Sequence, residues 1–260
     1  MSLKVVKIGG NVVDNPEMLS AFCRDFAKLE GPKCLVHGGG VLASSIQKAL
    51  GQEPVKIEGR RVTDAETLKV VTMVYAGWCN KNIVALLQAE GCNALGLSGC
   101  DGSVIKAGKR APRTLSDGVT VVDYGFVGDV KPSSVNVPLV RSLISAGCVP
   151  VFCAINHDGK GNLLNTNADT IACSVASALN ADLIYCFEKK GVLLDKENDE
   201  SVIPFIDPDR FEALRKEGIV AEGMLPKIEN SFKALREGAL GVVIKHSSDL
   251  LAESGTRIGL

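Results

Sequence analysis

The sequence predicts an α/β protein, a three-layer αβα sandwich around a mainly parallel open sheet. Two observations carry that prediction. Short β-branched runs alternate with helical patterns along all 260 residues, and strands separated by helices need crossover connections, which build parallel sheets covered on both faces. In addition, two glycine clusters, Gly9-Gly10 and Gly38-Gly39-Gly40, directly follow predicted strands, as they do where strand-to-helix loops gather at one sheet edge.

The elements read in order as follows. Leu3–Ile8 is a strand, Pro16–Leu29 a helix, Cys34–His37 a strand, and a helix runs from Gly40 through Leu50. Val55–Val62 is a hairpin or extended excursion. Asp64 caps a long helix through Ala89, with Gly91 after its end. Ala94–Leu97 is a strand, and Ser103–Val130, rich in Gly and Val with alternating charge, forms antiparallel hairpins. A helix over Ser133–Ala146 leads to a buried strand, Val149–Ala154. The Asp169–Leu179 helix precedes a strand at Leu183–Phe187. Helices at Pro208–Glu217 and Glu222–Glu237 and a strand at Val242–Lys245 complete the set. The Asn156–Asn167 stretch is the expected boundary between an N-terminal lobe, 1–156, and a C-terminal lobe, 157–260, that share one continuous sheet.

Composition narrows the function. With 46% hydrophobic and 23% charged residues, the chain can bury a sizeable core. Its 29 basic and 30 acidic residues leave a net charge of -1, so no broad basic field holds nucleic acid, and no polybasic run suits a membrane surface. No apolar run approaches a membrane span, and Met1–Ile8 lacks the length and cleavage site of a signal peptide. The nine cysteines are scattered, with no C-x-x-C pair; reduced thiols in a cytoplasmic protein are the expectation. Three histidines, His37, His157 and His246, are too few and too dispersed for a zinc site.

The glycine clusters let backbone N–H groups approach an anion, and each following helix points its positive end at it. Tight turns without a ligand are the alternative. Neither G-x-x-x-x-G-K-[ST] nor G-x-G-x-x-G occurs. Lys7 ends a predicted strand, where a lysine needs either a partner or a route to solvent. Asn165-Thr166-Asn167-Ala168-Asp169 lies between an extended segment and a helix; Asn165 and Asn167 share a side if extended. Asp169 is either the helix cap or the acceptor that holds one or two lysine ammonium groups. Arg61, in Arg60-Arg61-Val62-Thr63-Asp64, is a candidate fork for a carboxylate or else a surface ion-pair partner. Lys227, just after Pro226, lies within a predicted helix.

In order, Lys7-Ile8-Gly9-Gly10, His37-Gly38-Gly39-Gly40, Arg61-Val62-Thr63-Asp64, Leu97-Ser98-Gly99 with Asp101-Gly102, Gly125-Phe126-Val127-Gly128-Asp129-Val130, Asn165-Thr166-Asn167-Ala168-Asp169 and Gly223-Met224 with Lys227 resemble the amino-acid kinase family, from Lys7 to Gly255-Thr256-Arg257-Ile258. The Lys-Ile-Gly-Gly and Arg-Val-Thr-Asp runs favour its branch that phosphorylates the side-chain carboxylate of an N-acylated glutamate in arginine biosynthesis. Another small-molecule kinase of the family and a non-catalytic anion-binding relative are the alternatives.

The resemblance implies ATP and Mg2+, the metal being held mainly by nucleotide phosphates and not by a protein cage. It implies catalytic roles for Lys7, Asp169 and Lys227, with the aspartate organising the two lysines. Substrate would be bound by Gly39 and Gly40 through N–H groups and by Arg61, Asn165 and Asn167. Nucleotide and its phosphates would meet Gly9, Gly10, Gly191, Val192, Leu193, Ala221 and Gly223. Two departures stand out. Glu188-Lys189-Lys190 replaces the usual Thr-Asp-Val, so Glu188 would serve in place of the aspartate and Lys189 or Lys190 would touch phosphate. Arg60 stands where an aliphatic residue is common, which points to an acyl group with its own carboxylate, such as succinyl. Lys7 lies close to the start, so the extra N-terminal helix of the family's hexamers is not expected. The expectation is a homodimer through the helix from Asp64 to Ala89, with little arginine feedback.

Overall fold

A computed structural model of the chain describes residues 1–115, 117–220 and 224–260. Eight strands form the central sheet: β1 (Lys4–Ile8), β2 (Lys33–His37), β3 (Ala94–Leu97), β4 (Val149–Phe152), β5 (Asp182–Phe187), β6 (Phe205–Ile206), β7 (Gly241–His246) and β8 (Thr256–Ile258). Their spatial order is β6-β8-β7-β5-β1-β2-β4-β3. All neighbouring pairs are parallel except β7 with β8. β1 is flanked by β2 on one side and β5 on the other, so the strand order reverses there. In an open α/β sheet a reversal leaves a crevice beyond the strand C-termini, and Gly9-Gly10 and Gly38-Gly39-Gly40 both open into that end.

Nine α-helices are described: α1 (Gly10–Asp14), α2 (Pro16–Lys28), α3 (Gly40–Ala49), α4 (Ala65–Thr72), α5 (Asn80–Ala89), α6 (Val137–Ser145), α7 (Ala168–Leu179), α8 (Pro208–Lys216) and α9 (Leu225–Arg236). Local chemistry sets their starts. The Asn15 side chain accepts from the N–H groups of Glu17 and Met18 ahead of α2, Asp64 from Thr67 ahead of α4, and Asn167 from Thr170 ahead of α7. β1 and β2 are buried on both faces, as a covered parallel sheet requires, with Val5, Val6, Ile8, Cys34, Leu35 and Val36 fully enclosed. α2 turns Leu19, Phe22, Cys23 and Phe26 into the core.

The predicted 64–89 helix is present with a difference. α4 and α5 are joined by a π-helical stretch, Met73–Cys79, and wider turns of this kind often mark functional positions. The combined run, Ala65–Ala89, is long and apolar enough by composition to cross a membrane, which amends the expectation that no run approaches that length. Its Val70, Val71, Val74, Ile83 and Leu87 are buried in the core. The sequence reading also missed α1, β6 and β8. The 156–167 boundary is an antiparallel hairpin, Ile155–His157 with Leu163–Asn165, turned by Gly159 and Gly161 at φ 74° and 93°.

Small hairpins rise above the sheet, as predicted for 55–62 and 103–130: Lys56–Ile57 with Arg60–Arg61, Gly108–Lys109 with Gly128–Asp129, and Arg113–Thr114 with Val121–Val122. They share a separate apolar cluster of Val122, Tyr124 and Val127, with Ile57, Val62 and Leu115 packed on it.

Lys33 ties a strand to a helix end. Its buried ammonium donates to the carbonyls of Phe26, Ala27 and Leu29 at 2.8, 2.9 and 2.6 Å, satisfying acceptors that the last turn of α2 leaves open. Burial holds its pKa below the ordinary lysine value. Lys33→Met keeps the stem and strips the donors, so urea unfolding should show a loss of about 2 kcal/mol.

Candidate functional site

Lys7 is the fourth residue of a central strand and only 6% exposed. An ammonium there is costly unless an opposite charge meets it. Asp169, in the first turn of α7, supplies that charge: its Oδ1 lies 2.7 Å from Lys7 Nζ. The Asn167 side chain caps α7, which leaves the Asp169 carboxylate for the lysine. The choice left open for Asp169 is therefore settled against the cap.

Phe187, at the end of β5, lies beneath two cations. Lys7 Nζ is 5.1 Å and Lys227 Nζ 4.6 Å from the centroid of its ring, so two lysines 220 positions apart in the sequence face one aromatic plate. Burial pushes the Lys227 pKa down; Asp169 works against that, Lys7 adds to it, and Glu188 opposes it again. Tyr185 stacks behind Phe187 at 5.9 Å, and its hydroxyl donates to the Asp169 carbonyl at 3.3 Å.

A cavity of about 220 Å³ opens beside Lys7 and Asp169, bounded by Gly38-Gly39-Gly40, Arg61, Tyr75 and Asn165. Arg61 is buried and held entirely by neutral acceptors. It donates to Gly40 O at 2.8 Å, to Ser44 Oγ at 2.7 Å and to Gln47 Oε1, and it lies close enough to Tyr75 to lower that phenol's pKa against the effect of burial. Its charge is thus oriented but not neutralised, the condition for binding a carboxylate, and the surface ion-pair alternative falls. Asn165 Nδ2 donates to Thr63 Oγ1 at 3.0 Å, fixing the amide at the cavity wall. Asn167 also borders the cavity, with its oxygen committed to the cap. Next to them, the buried Thr166 Oγ1 has no hydrogen-bond partner among the described residues.

α3 begins at Gly40, and no side chain caps it; its first N–H groups lack intrahelical partners. A Cβ on Gly39, where φ is 156°, would come within 2.9 Å of both Cys79 Sγ and Tyr75 Cδ1, so glycine is needed for the close packing of this loop on the π-helical stretch. Behind the loop, Asn80 Nδ2 lies 3.0 Å from His37 Nε2 and donates to Val151 O at 3.0 Å, while His37 Nδ1 meets Gly38 O at 2.8 Å.

The model for the amino acid kinase family matches residues 2–246. The chain belongs to the amino acid kinase family. It is 52% identical over 260 residues to the acetylglutamate kinase of Bacteroides fragilis, covering 98% of this chain and 96% of that one. It is 50% identical over 253 residues to that of Cytophaga hutchinsonii, covering 96% and 93%. Among solved structures, it superposes on N-acetylglutamate synthase from Neisseria gonorrhoeae, complexed with coenzyme A and N-acetyl-glutamate, with a TM-score of 0.82 at 21% identity. That match covers all of this chain and 59% of the other. Isopentenyl phosphate kinase from T. acidophilum matches with a TM-score of 0.63 at 16% identity. At these identities both likenesses are of fold alone.

The nucleotide-side residues expected of an amino acid kinase fare unevenly. The Gly9 N–H is taken by Cys186 O at 3.2 Å, and a Cβ there would meet the Phe187 ring at 3.3 Å. Gly9 is therefore closely packed with its N–H engaged, while Gly10 opens α1. Gly191, Val192 and Leu193 do not border the cavity. A Cβ on Gly191 would strike Thr256 Oγ1 at 2.7 Å. The Val192 N–H goes to that same oxygen at 2.8 Å, its carbonyl to Ile203 N at 2.9 Å, and Leu193 bridges Val202. Lys189 pairs with Asp199 at 2.9 Å and Lys190 with Glu200, both on the surface. Glu188 accepts from Asn11 Nδ2 at 3.1 Å. Ala221 and Gly223 lie outside the described residues. Among those described, no three His, Cys, Asp or Glu side chains gather as a metal site.

Phe187, Tyr75, Thr166 and the His37–Asn80 pair were not singled out from sequence for roles in the site. Each lies inside an apolar pattern or an adjacent motif, and only the tertiary fold brings them to the cavity.

Burial lowers the His37 pKa from 6.5 to about 4. Its folded value lies below the unfolded one, so the neutral ring's contribution is complete above pH 6.5 and is lost as pH falls toward 4. Unfolding free energies across that window should drop by about 3 kcal/mol. His37→Gln should flatten that slope.

Proposed function

We propose that this chain transfers the terminal phosphoryl group of ATP, with Mg2+, to the side-chain carboxylate of an N-acylated glutamate, as the name acetylglutamate kinase states for its relatives. The observation that carries the reading is the pair of ammonium groups on one Phe187 plate, one of them fixed by Asp169, beside a cavity with an uncompensated Arg61.

A carboxylate oxygen bonds to phosphorus, the bridging P–O bond breaks, and ADP departs with the electron pair. The nucleophile is already ionised at neutral pH, so no general base is needed. The work left for the protein is bringing anions together and holding charge on the transferring group. In this reading Lys7 and Lys227 neutralise that group from two sides, and Asp169 orients Lys7. Arg61, Asn165, Thr166 and Asn167 fix the unreactive end of the substrate, aided by the N–H groups of Gly39 and Gly40. Gly10 donates to phosphate oxygen. Mg2+ held by the nucleotide phosphates would spread their charge; the donors present suit that arrangement, being cations and N–H groups in place of a carboxylate cage.

The 1–156 lobe takes the acyl-amino acid, joined by Asn165–Asp169, and the 157–260 lobe takes the nucleotide. The protein acts in the cytoplasm, a reading supported by nine free cysteines, most of them buried. It pairs with a second copy through the Ala65–Ala89 run, on which Met73 and Trp78 are 60% and 66% exposed; a sedimentation mass of two chains checks this.

A coupled ADP-release assay with acylated and free amino acids tests the reaction. Lys7→Ala should lower kcat at least ~100-fold, about 2.7 kcal/mol of transition-state binding; an unchanged kcat removes Lys7 from the mechanism. Because the Lys227 pKa is depressed, kcat/KM should fall on the alkaline side at a pH below the ordinary lysine value of 10.5. Lys227→Arg should move that limb upward.

A further inference from the structure

The cavity wall carries more positive charge than two carboxylates need. Five of its residues are basic (Lys7, Lys56, Arg60, Arg61 and Arg110), and one, Asp169, is acidic. Lys7 is paired with Asp169, and Arg110 is paired with Asp129 through Nε at 3.2 and 3.0 Å and through its terminal nitrogen. Lys56, Arg60 and Arg61 have no carboxylate partner among the described residues. Arg60 is half-buried, and its surroundings compound the cost. Desolvation lowers its pKa, and the Arg110 and Arg113 guanidinium groups lower it further, against which Asp129 and Tyr124 act in the other direction. Arg113 is itself tied to Glu58.

The backbone fixes this arrangement. Lys56–Ile57 and Arg60–Arg61 pair around a two-residue turn, Glu58-Gly59, with φ of 47° and 72°, a tight turn that sets strand register. Ile57 and Val62 anchor the hairpin in the small apolar cluster around Tyr124. A half-buried guanidinium held beside two others by a tight hairpin is a standing invitation to an anion.

The chemistry of the substrate says which anion. An N-acylated glutamate has three groups on its α-carbon besides hydrogen. The side chain must bring its carboxylate to Lys7, and the α-carboxylate suits Arg61, so the N-acyl group is left for the Arg60 wall. A methyl group would gain nothing from Arg60 and Lys56 there. We infer that Arg60 and Lys56 form a subsite for a carboxylate at the far end of the acyl group, so that the preferred substrate is a dicarboxylic acid joined to glutamate by one amide. This rests on the reaction proposed above and makes Arg60 a specificity-determining residue for it.

The test compares kcat/KM for N-acetyl-, N-butanoyl- and N-succinyl-L-glutamate with the full chain. Butanoyl and succinyl have equal carbon counts and differ in the terminal charge. The succinyl compound should exceed both others by about 10- to 100-fold, the range of one charge-assisted contact. Arg60→Leu should bring the succinyl-to-butanoyl ratio close to one, and Arg60→Lys should restore part of it. Equal values for butanoyl and succinyl, or a preference for acetyl, overturn the subsite while leaving the kinase reading intact. If no compound is phosphorylated, the kinase reading fails. Calorimetric binding then decides the subsite separately: tighter succinyl than butanoyl binding supports it, and equal binding overturns it.

Discussion

A charge in the middle of a sheet is the constraint on which the rest of this molecule depends. Lys7 belongs to β1, with a strand on either side and its neighbours Val5, Val6 and Ile8 fully buried. Such a position ordinarily takes an aliphatic residue. Keeping an ammonium there requires a carboxylate at contact distance, and that in turn fixes where α7 begins and which side chain caps it. Asn167 takes the capping role and Asp169 the ionic one. The crossover that delivers α7 is therefore tied to the sheet's centre by electrostatics as well as by apolar packing. Truncating either partner would strand the other charge, which is why the pair is a poor place for neutral drift and a good place for chemistry.

The opposite strategy governs Arg61. A carbonyl, a hydroxyl and an amide oxygen take three of its five N–H donors, so its direction is determined while its charge is left uncompensated and donors remain. One cation matched by a carboxylate and one matched only by dipoles lie within the same cavity. In the proposed reaction they separate two tasks: the first would hold charge on the transferring group, and the second would take a counter-ion from outside. The His37–Asn80 pair supports both indirectly. A neutral ring, buried and satisfied on both nitrogens, fixes the glycine loop from which α3 departs.

Legibility from sequence followed the range of the interactions. The alternation of β-branched and helical runs marked six of the eight sheet strands, because each buries an apolar run of its own. β6 and β8 escaped notice; at two and three residues they are defined by pairing with each other and with β7, not by pattern. α1 is five residues long and hidden in a glycine loop. In the site, Lys7, Arg61 and Asp169 were readable because charged residues at strand and helix ends need a reason to be there. Gly9 shows the limit of the reading, since a glycine that serves close packing and one that serves an anion look alike in sequence. At Val192 the backbone N–H and carbonyl are taken by Thr256 and Ile203, contacts that no local motif announces. Phe187 was hidden within an apolar strand, and only the three-dimensional arrangement shows cations above its ring.

The seam between β1 and β5 has a mechanical consequence. Five consecutive residue pairs, from Lys4 with Asp182 to Ile8 with Cys186, stitch the early part of the chain to the late part along the same line that carries Lys7 and Phe187. The two halves are leaves of one spring plate, not shells on a hinge pin. In the proposed reaction, a donor over one half and an acceptor over the other would approach by torsion of that plate or by travel of the hairpins above it, with the Lys7 and Phe187 strands at the line of flexure.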